Sequence, residues 1–378
     1  MSWLFGGTKP SQLSPASKEM PLLNSVNGGQ PSKDRTQSFR RGGNNPTSLN
    51  RLLNVVKPLK TAEKKKYRLS VGAKTGNLNM VKQALNDGAV VDAAMNNGVT
   101  PLYIASENGH LEVVRELLAR GAAVDAARID GLTPLYAASH EGHLEVAQAL
   151  LERGATVDAA DNHGYTPLYV ASQKGHLEVV RELLARGAAV DAAANGGFTP
   201  LYVASHEGHL EVAQALLERG AAVDAARNDG ATPLFVACQN GHLEVVRELL
   251  ARGATVDAAM NDGATPLYIA SQKGHLEVVR ELLARGATVD AATNEGSTPL
   301  LIASQKGHLE VVWELRAAME AAKRPKSLLN TRYVNNQSTQ PLLRNGGSRR
   351  RSNRYLYRQV PKLSTPRYRK KKTHRRRH

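Results

Sequence analysis

Residues 95–127 read Met95-Asn-Asn-Gly98-Val-Thr100-Pro-Leu-Tyr-Ile-Ala105-Ser-Glu-Asn-Gly109-His-Leu-Glu-Val-Val-Arg-Glu-Leu-Leu-Ala-Arg-Gly121-Ala-Ala-Val-Asp-Ala-Ala127. The Thr-Pro-Leu within this stretch recurs at Thr100, Thr133, Thr166, Thr199, Thr232, Thr265 and Thr298, always 33 residues apart. A strict period of that length predicts one supersecondary unit copied and stacked. Thr100 before Pro101 reads as an N-cap followed by proline at the first helical position, where its missing N–H costs nothing. Gly109 suits the left-handed residue that ends a helix, so a first helix of about two turns is bracketed. Leu111, Val114, Leu117 and Leu118 recur at helical spacing and mark the apolar stripe of a second helix, which Gly121 stops. Glu112 precedes Arg115 by three residues on its outer side. Asn97-Gly98, Asp130-Gly131, Asp229-Gly230 and Asp262-Gly263 supply tight-turn signals between units.

The unit resembles the ankyrin repeat, on Thr-Pro-Leu-Tyr-Ile-Ala at 100–105, Gly-His-Leu-Glu-Val-Val at 109–114 and Gly-Ala-Ala-Val-Asp at 121–125. That resemblance implies an all-α solenoid of helix-turn-helix units joined by β-turns. Where the family has histidine after Thr-Pro-Leu, this chain has Tyr103, Tyr136, Tyr169, Tyr202, Phe235, Tyr268 and Leu301. A degenerate unit precedes the seven, with Leu69, Gly76, Leu78, Val81, Leu85 and Asp92 in register and Tyr67-Arg68 in place of Thr-Pro. It reads as an N-terminal cap. Arg316 replaces the second leucine of the last unit, and its helix is expected to run on to Pro325 as a C-terminal cap. The domain expectation is therefore a solenoid over 63–325. Its cap repeat spans 66–97, and full repeats begin near 98, 131, 164, 197, 230, 263 and 296 (repeats 1 to 7). With helices packing about 8–10 Å apart, eight units predict a curved rod on the order of 80 Å long.

Charge divides the chain in three. Residues 1–66 carry net +9, residues 67–316 net −11 and residues 317–378 net +18, so the overall +16 belongs to the tails. Residues 1–62 and 326–378 are aperiodic and basic, and are expected to be disordered. Cys238 is the only cysteine, which leaves no intrachain disulfide. Met1-Ser-Trp-Leu-Phe is too short for a signal sequence, no apolar run suits a bilayer, and Ser2 after Met1 excludes N-myristoylation. An intracellular monomer without membrane attachment is expected, in nucleus or cytoplasm, with the basic tail leaning towards the nucleus.

Catalytic, cofactor and metal sites are not expected. His110, His143, His176, His209, His242, His275 and His308 recur once per repeat, about 10 Å apart, whereas zinc ligands share one ion at about 2 Å. His140-Glu141-Gly142-His143 misses the zinc-protease spacing by one residue, and Gly142 breaks the helix it needs. No phosphate-binding glycine loop is present. Cys238 stands where other repeats have serine and reads as packing, and Asp125, Asp158 and Asp191 are too dispersed to pair.

The repeats differ where ankyrin repeats, by resemblance, grip protein or peptide partners along a concave face. After the turn glycine stand Val99, Leu132, Tyr165, Phe198, Ala231, Ala264 and Ser297. Two places before it stand Asn96, Ile129, Asn162, Asn195, Asn228, Asn261 and Asn294, and the first helices end on pairs such as His140-Glu141 and His206-Glu207. Apolar groups concentrate in the first four copies. The expected contact residues are Val99, Tyr103, Ile129, Leu132, Tyr136, His140, Tyr165, Tyr169, Phe198, Tyr202 and His206. Tyr165 and Phe198, flanked by Tyr169 and Tyr202, either form an aromatic anchor or only pack against neighbouring turns. In the basic tail, Arg349, Arg350, Arg351, Arg369, Lys370, Lys371, Lys372, Arg375, Arg376 and Arg377 are interleaved with Tyr355, Tyr357 and Tyr368. An import receptor, RNA or DNA, and no partner at all remain open for it.

Overall fold

In the computed structural model, residues 61–323 are described. They form sixteen helices and no strand. The cap comprises α1 (Thr61–Thr75) and α2 (Leu78–Asn86). The seven repeats contribute α3 (Pro101–Glu107) and α4 (Leu111–Ala119), α5 (Pro134–Glu141) and α6 (Leu144–Glu152), α7 (Pro167–Lys174) and α8 (Leu177–Ala185). These are followed by α9 (Pro200–Glu207) and α10 (Leu210–Glu218), α11 (Pro233–Asn240) and α12 (Leu243–Ala251), α13 (Pro266–Lys273) and α14 (Leu276–Ala284), α15 (Pro299–Lys306) and α16 (Leu309–Lys323).

The local chemistry behaves as the residue types dictate. Each Thr of Thr-Pro-Leu is extended and accepts a hydrogen bond from the backbone N–H three residues on, as Tyr103 N donates to Thr100 Oγ1 at 3.1 Å. Lacking Thr-Pro, the cap's first helix is not stopped at the equivalent position and is already helical at Thr61. Gly142 ends α5 at φ 78°, a conformation that costs a side-chain-bearing residue about 1–2 kcal/mol.

Packing runs along the stack. From α2 onward, odd-numbered helices pack on the odd-numbered helices before and after them, even on even, and the two helices of a repeat on each other. Leu102, Leu135, Leu168, Leu201, Leu234 and Leu267 are wholly buried on the first helices, and Leu117, Leu150, Leu183, Leu216 and Leu249 on the second. The second helix buries a wider stripe than its periodicity predicts. Val113 is buried along with Val114, and its copy Val311 is equally buried in the last repeat, whereas Leu111 is only half covered.

Candidate partner-binding face

The turns between repeats are joined into a ladder. Asn162 N donates to Asp130 O at 3.1 Å, Asn195 N to His163 O at 3.0 Å, and Asn228 N to Gly196 O at 3.1 Å. Side-chain amides extend it: Asn162, Asn261 and Asn294 Nδ2 donate to the carbonyls of Ile129, Asn228 and Asn261 at 3.2, 3.1 and 3.0 Å. A second row of staples runs below. Asp125 accepts from Thr156 N and from Thr156 Oγ1 (2.7 Å), and Asp92, Asp158, Asp191, Asp224 and Asp257 hold the next repeat's backbone in the same way. The aspartates that look too dispersed to act together therefore each bond one repeat forward.

The recurring histidines are also connectors. His143 Nε2 lies 3.1 Å from Glu107 O, and His176 Nε2 lies 3.0 Å from His140 O, one repeat back. A carbonyl only accepts, so Nε2 carries the proton. Desolvation holds the His176 imidazole below its ordinary value, partly opposed by that hydrogen bond. Cys238 is wholly buried, and burial pushes its thiol well up, away from the reactive thiolate. Among the described residues no group of His, Cys, Asp and Glu is placed to hold a metal ion, and no helix is long and apolar enough to cross a membrane.

Of the expected contact residues, Val99, Tyr103, Tyr136, Tyr169 and Tyr202 are buried. Little of these five side chains is open to solvent, and Tyr103 and Tyr202 commit their hydroxyls to neighbouring arginines. Tyr103 OH accepts from Arg128 Nη1 at 3.3 Å, and Arg128 in turn bridges to Asp130. Tyr202 OH accepts from Arg227 in the same arrangement, with Asp229 as the carboxylate. Desolvation, with Glu107 adding to it, pushes Tyr103 up to about 12 against the pull of Arg128. Burial likewise raises Tyr136 and Tyr169, and raises the Glu107 carboxyl.

Of the remaining residues, Ile129, Leu132, Tyr165 and Phe198 lie at the turns, and His140 and His206 in the last turn of their first helices. Tyr165 and Phe198 are half-buried. Tyr165 stacks on Tyr169 with centroids 4.5 Å apart, and Phe198 meets Tyr202 edge-on at 5.5 Å while Arg227 covers its ring at 4.7 Å. Each is thus committed first to the tyrosine of its own repeat. Leu132 is half-buried. His140 stacks near-parallel on Tyr136 at 6.5 Å, and Nδ1 of His140 and of His206 lies 2.7 and 2.9 Å from the following glutamate. Ile129 stands apart, 73 % exposed at a turn tip where every other repeat has asparagine. Arg128 and Arg227 were not singled out by sequence reasoning. Their signal was available: in the column that reads Met95, Arg128, Asp161, Ala194, Arg227, Met260 and Thr293, only they are cationic. The segment 1–62 lies outside the described residues save its last two, and the tail 326–378 with all its basic residues lies outside them entirely.

Comparison with curated proteins finds no match. A family model described as ankyrin repeats (three copies) matches residues 40–128, 120–194, 190–260 and 254–325. Those matches span most of the chain and all the stacked helix pairs. The chain belongs to the ankyrin-repeat family, whose repeats are in general protein–protein interaction modules and typically non-catalytic.

Proposed function

We propose that residues 63–325 form a non-enzymatic adaptor that holds a protein or peptide partner on the concave face of repeats 1 to 4, with the basic flanking segments serving localisation or tethering. The observation that carries this reading is Ile129. It is a large apolar side chain left in water at a turn whose backbone is already bonded on both sides, Ile129 N to Asn97 O at 3.2 Å and Ile129 O to the Asn162 amide. An exposed apolar anchor on an ordered turn gains burial energy with little ordering entropy to offset it. Leu132, Tyr165 and Phe198 add half-exposed apolar surface in the same four repeats.

Substitution Ile129→Asn tests it, because asparagine occupies that column in the other repeats and suits the turn. Burying most of an isoleucine is worth about 1–2 kcal/mol, so affinity for a partner identified with the full chain falls roughly 5- to 30-fold while stability holds. Unchanged affinity moves the binding face away from this turn.

A second reading makes the tail the primary contact, with RNA or DNA or an import receptor, and the repeats a recruiting arm. It is supported by the net +18 of residues 317–378 and their interleaved tyrosines. The net −11 of residues 67–316 argues against the array itself lying on phosphates.

A further inference from the structure

Each repeat before the last turns three columns of side chains towards its successor. The residue after Thr-Pro-Leu is one: the Tyr268 hydroxyl donates to Ser297 Oγ of the next repeat at 3.4 Å, and Tyr103 bonds Arg128 in the turn that leads into the next repeat. The middle of the second helix is another, where Arg247 reaches Glu281 and Arg280 reaches Glu314 one repeat on. The leucine opening the second helix is the third, as Leu144 shares a groove with Glu178 and Glu182 of the following repeat. In repeat 7 these columns carry Leu301, Trp313 and Leu309, which are 46, 63 and 61 % exposed. Trp313 departs most from its column, whose other members are Arg115, Gln148, Arg181, Gln214, Arg247 and Arg280. A tryptophan in place of a polar side chain, with Leu309 one turn before it on α16 and Leu301 uncovered on α15, leaves apolar surface on both helices at the C-terminal end of the array.

We propose that this face is covered by the segment of the same chain that follows it, residues 327–334, Ser-Leu-Leu-Asn-Thr-Arg-Tyr-Val. Its apolar members are Leu328, Leu329, Tyr333 and Val334, the first such cluster after α16. Pro325 opposes continuation of that helix and favours a change of direction. Reach agrees. At about 1.5 Å per residue Trp313 lies about 15 Å back along α16 from Lys323. An extended chain at about 3.3 Å per residue carries Leu328 that far, and Tyr333 far enough for Leu309. Tethering also supplies an effective concentration on the order of millimolar, which a separate molecule does not have. A second copy is disfavoured by charge: residues 317–378 carry net +18, and apposing two such ends, or one with the net +9 of residues 1–66, brings like charges together. The docked segment closes the array in place of a further repeat and fixes where the basic tail departs.

Trp3 is the only other tryptophan, so the test uses the full chain carrying Trp3→Phe, in which Trp313 alone reports. Trp313 should show blue-shifted emission and weak quenching by acrylamide, independent of protein concentration. Adding Leu328→Asp and Leu329→Asp should red-shift the emission and raise the quenching constant at least about twofold, because the ring then loses its apolar cover. These positions lie outside the helical array, so its far-ultraviolet dichroism should stay unchanged. Three results overturn the proposal: equal quenching in parent and variant with Trp313 open in both, protection that survives the aspartates, or protection that grows with protein concentration. The last assigns the face to a second copy.

Discussion

Gly142 and Gly154 of repeat 2 have nearly the same backbone and different neighbours, and replacing each by alanine separates two physical terms. Gly142 has φ +78° and Gly154 φ +83°. An alanine pays the left-handed penalty at both, about 1–2 kcal/mol, less about 0.4–1 kcal/mol gained by restricting the unfolded chain. A Cβ on Gly154 meets nothing within 4 Å, whereas one on Gly142 falls 2.6 Å from His176 Nδ1 and 2.7 Å from Cε1. The imidazole must then swing away, and its 3.0 Å bond to His140 O is lost. Losing that bond and leaving the carbonyl without a partner costs a further 2–3 kcal/mol or so. Gly154→Ala is therefore expected to cost about 1 kcal/mol, and Gly142→Ala about 3–4 kcal/mol.

Urea unfolding of the full chain, followed by far-ultraviolet dichroism, gives both values from the shift in midpoint at unchanged slope. The coupling is the sharper measurement. In a His176→Ala background the obstacle is gone, so Gly142→Ala should fall back to the Gly154→Ala value, an interaction of about 2 kcal/mol between residues 34 apart. A coupling below about 0.5 kcal/mol, or equal costs for the two glycines, would refute the account of the histidine as a connector between repeats.

Two further outcomes follow from buried titratable groups. Cys238, the only thiol, should resist a disulfide-exchange probe at mildly alkaline pH in the folded protein and react fully in guanidinium chloride; fast reaction in the folded state would contradict its burial. For His176 the folded value lies below the unfolded one, near 6.5, because burial disfavours the cation. Below about pH 6.5 the unfolded chain takes up a proton that the folded one refuses, so its stability contribution is full above that pH and declines towards the lowered folded value. His176→Gln should flatten the fall in urea midpoint between about pH 7.5 and 5.5, and an unaltered pH profile would remove His176 as a source.

The repeat framework was legible because its determinants are local. A threonine cap, a proline at the first helical position and a glycine at the helix end each act within a few residues, and the 33-residue period assembles them. The face was only half legible, because its decisive contacts join residues adjacent in the stack and remote in sequence. Tyr103 meets Arg128 across 25 residues and His176 meets His140 O across 36. A column therefore varies for two reasons that sequence alone does not separate. The residue after the turn glycine runs from Val99 and Leu132 through Tyr165 and Phe198 to Ala231, Ala264 and Ser297, and its two rings lie on Tyr169 and Tyr202, so Phe198 and Tyr165 are partly occupied by their own repeat. The asparagine column is nearly constant, and at Asn162, Asn261 and Asn294 the amide bonds the preceding turn, which makes its single exception the informative one. Ile129 gives up the side-chain bond that Asn162, Asn261 and Asn294 make and leaves its apolar surface in water. Trp313 repeats that logic at the end of the array, where a column of arginine and glutamine gives way to a ring. In a chain this repetitive, departure from a column is meaningful where the structure gives the column a physical reason and the departing residue forgoes it.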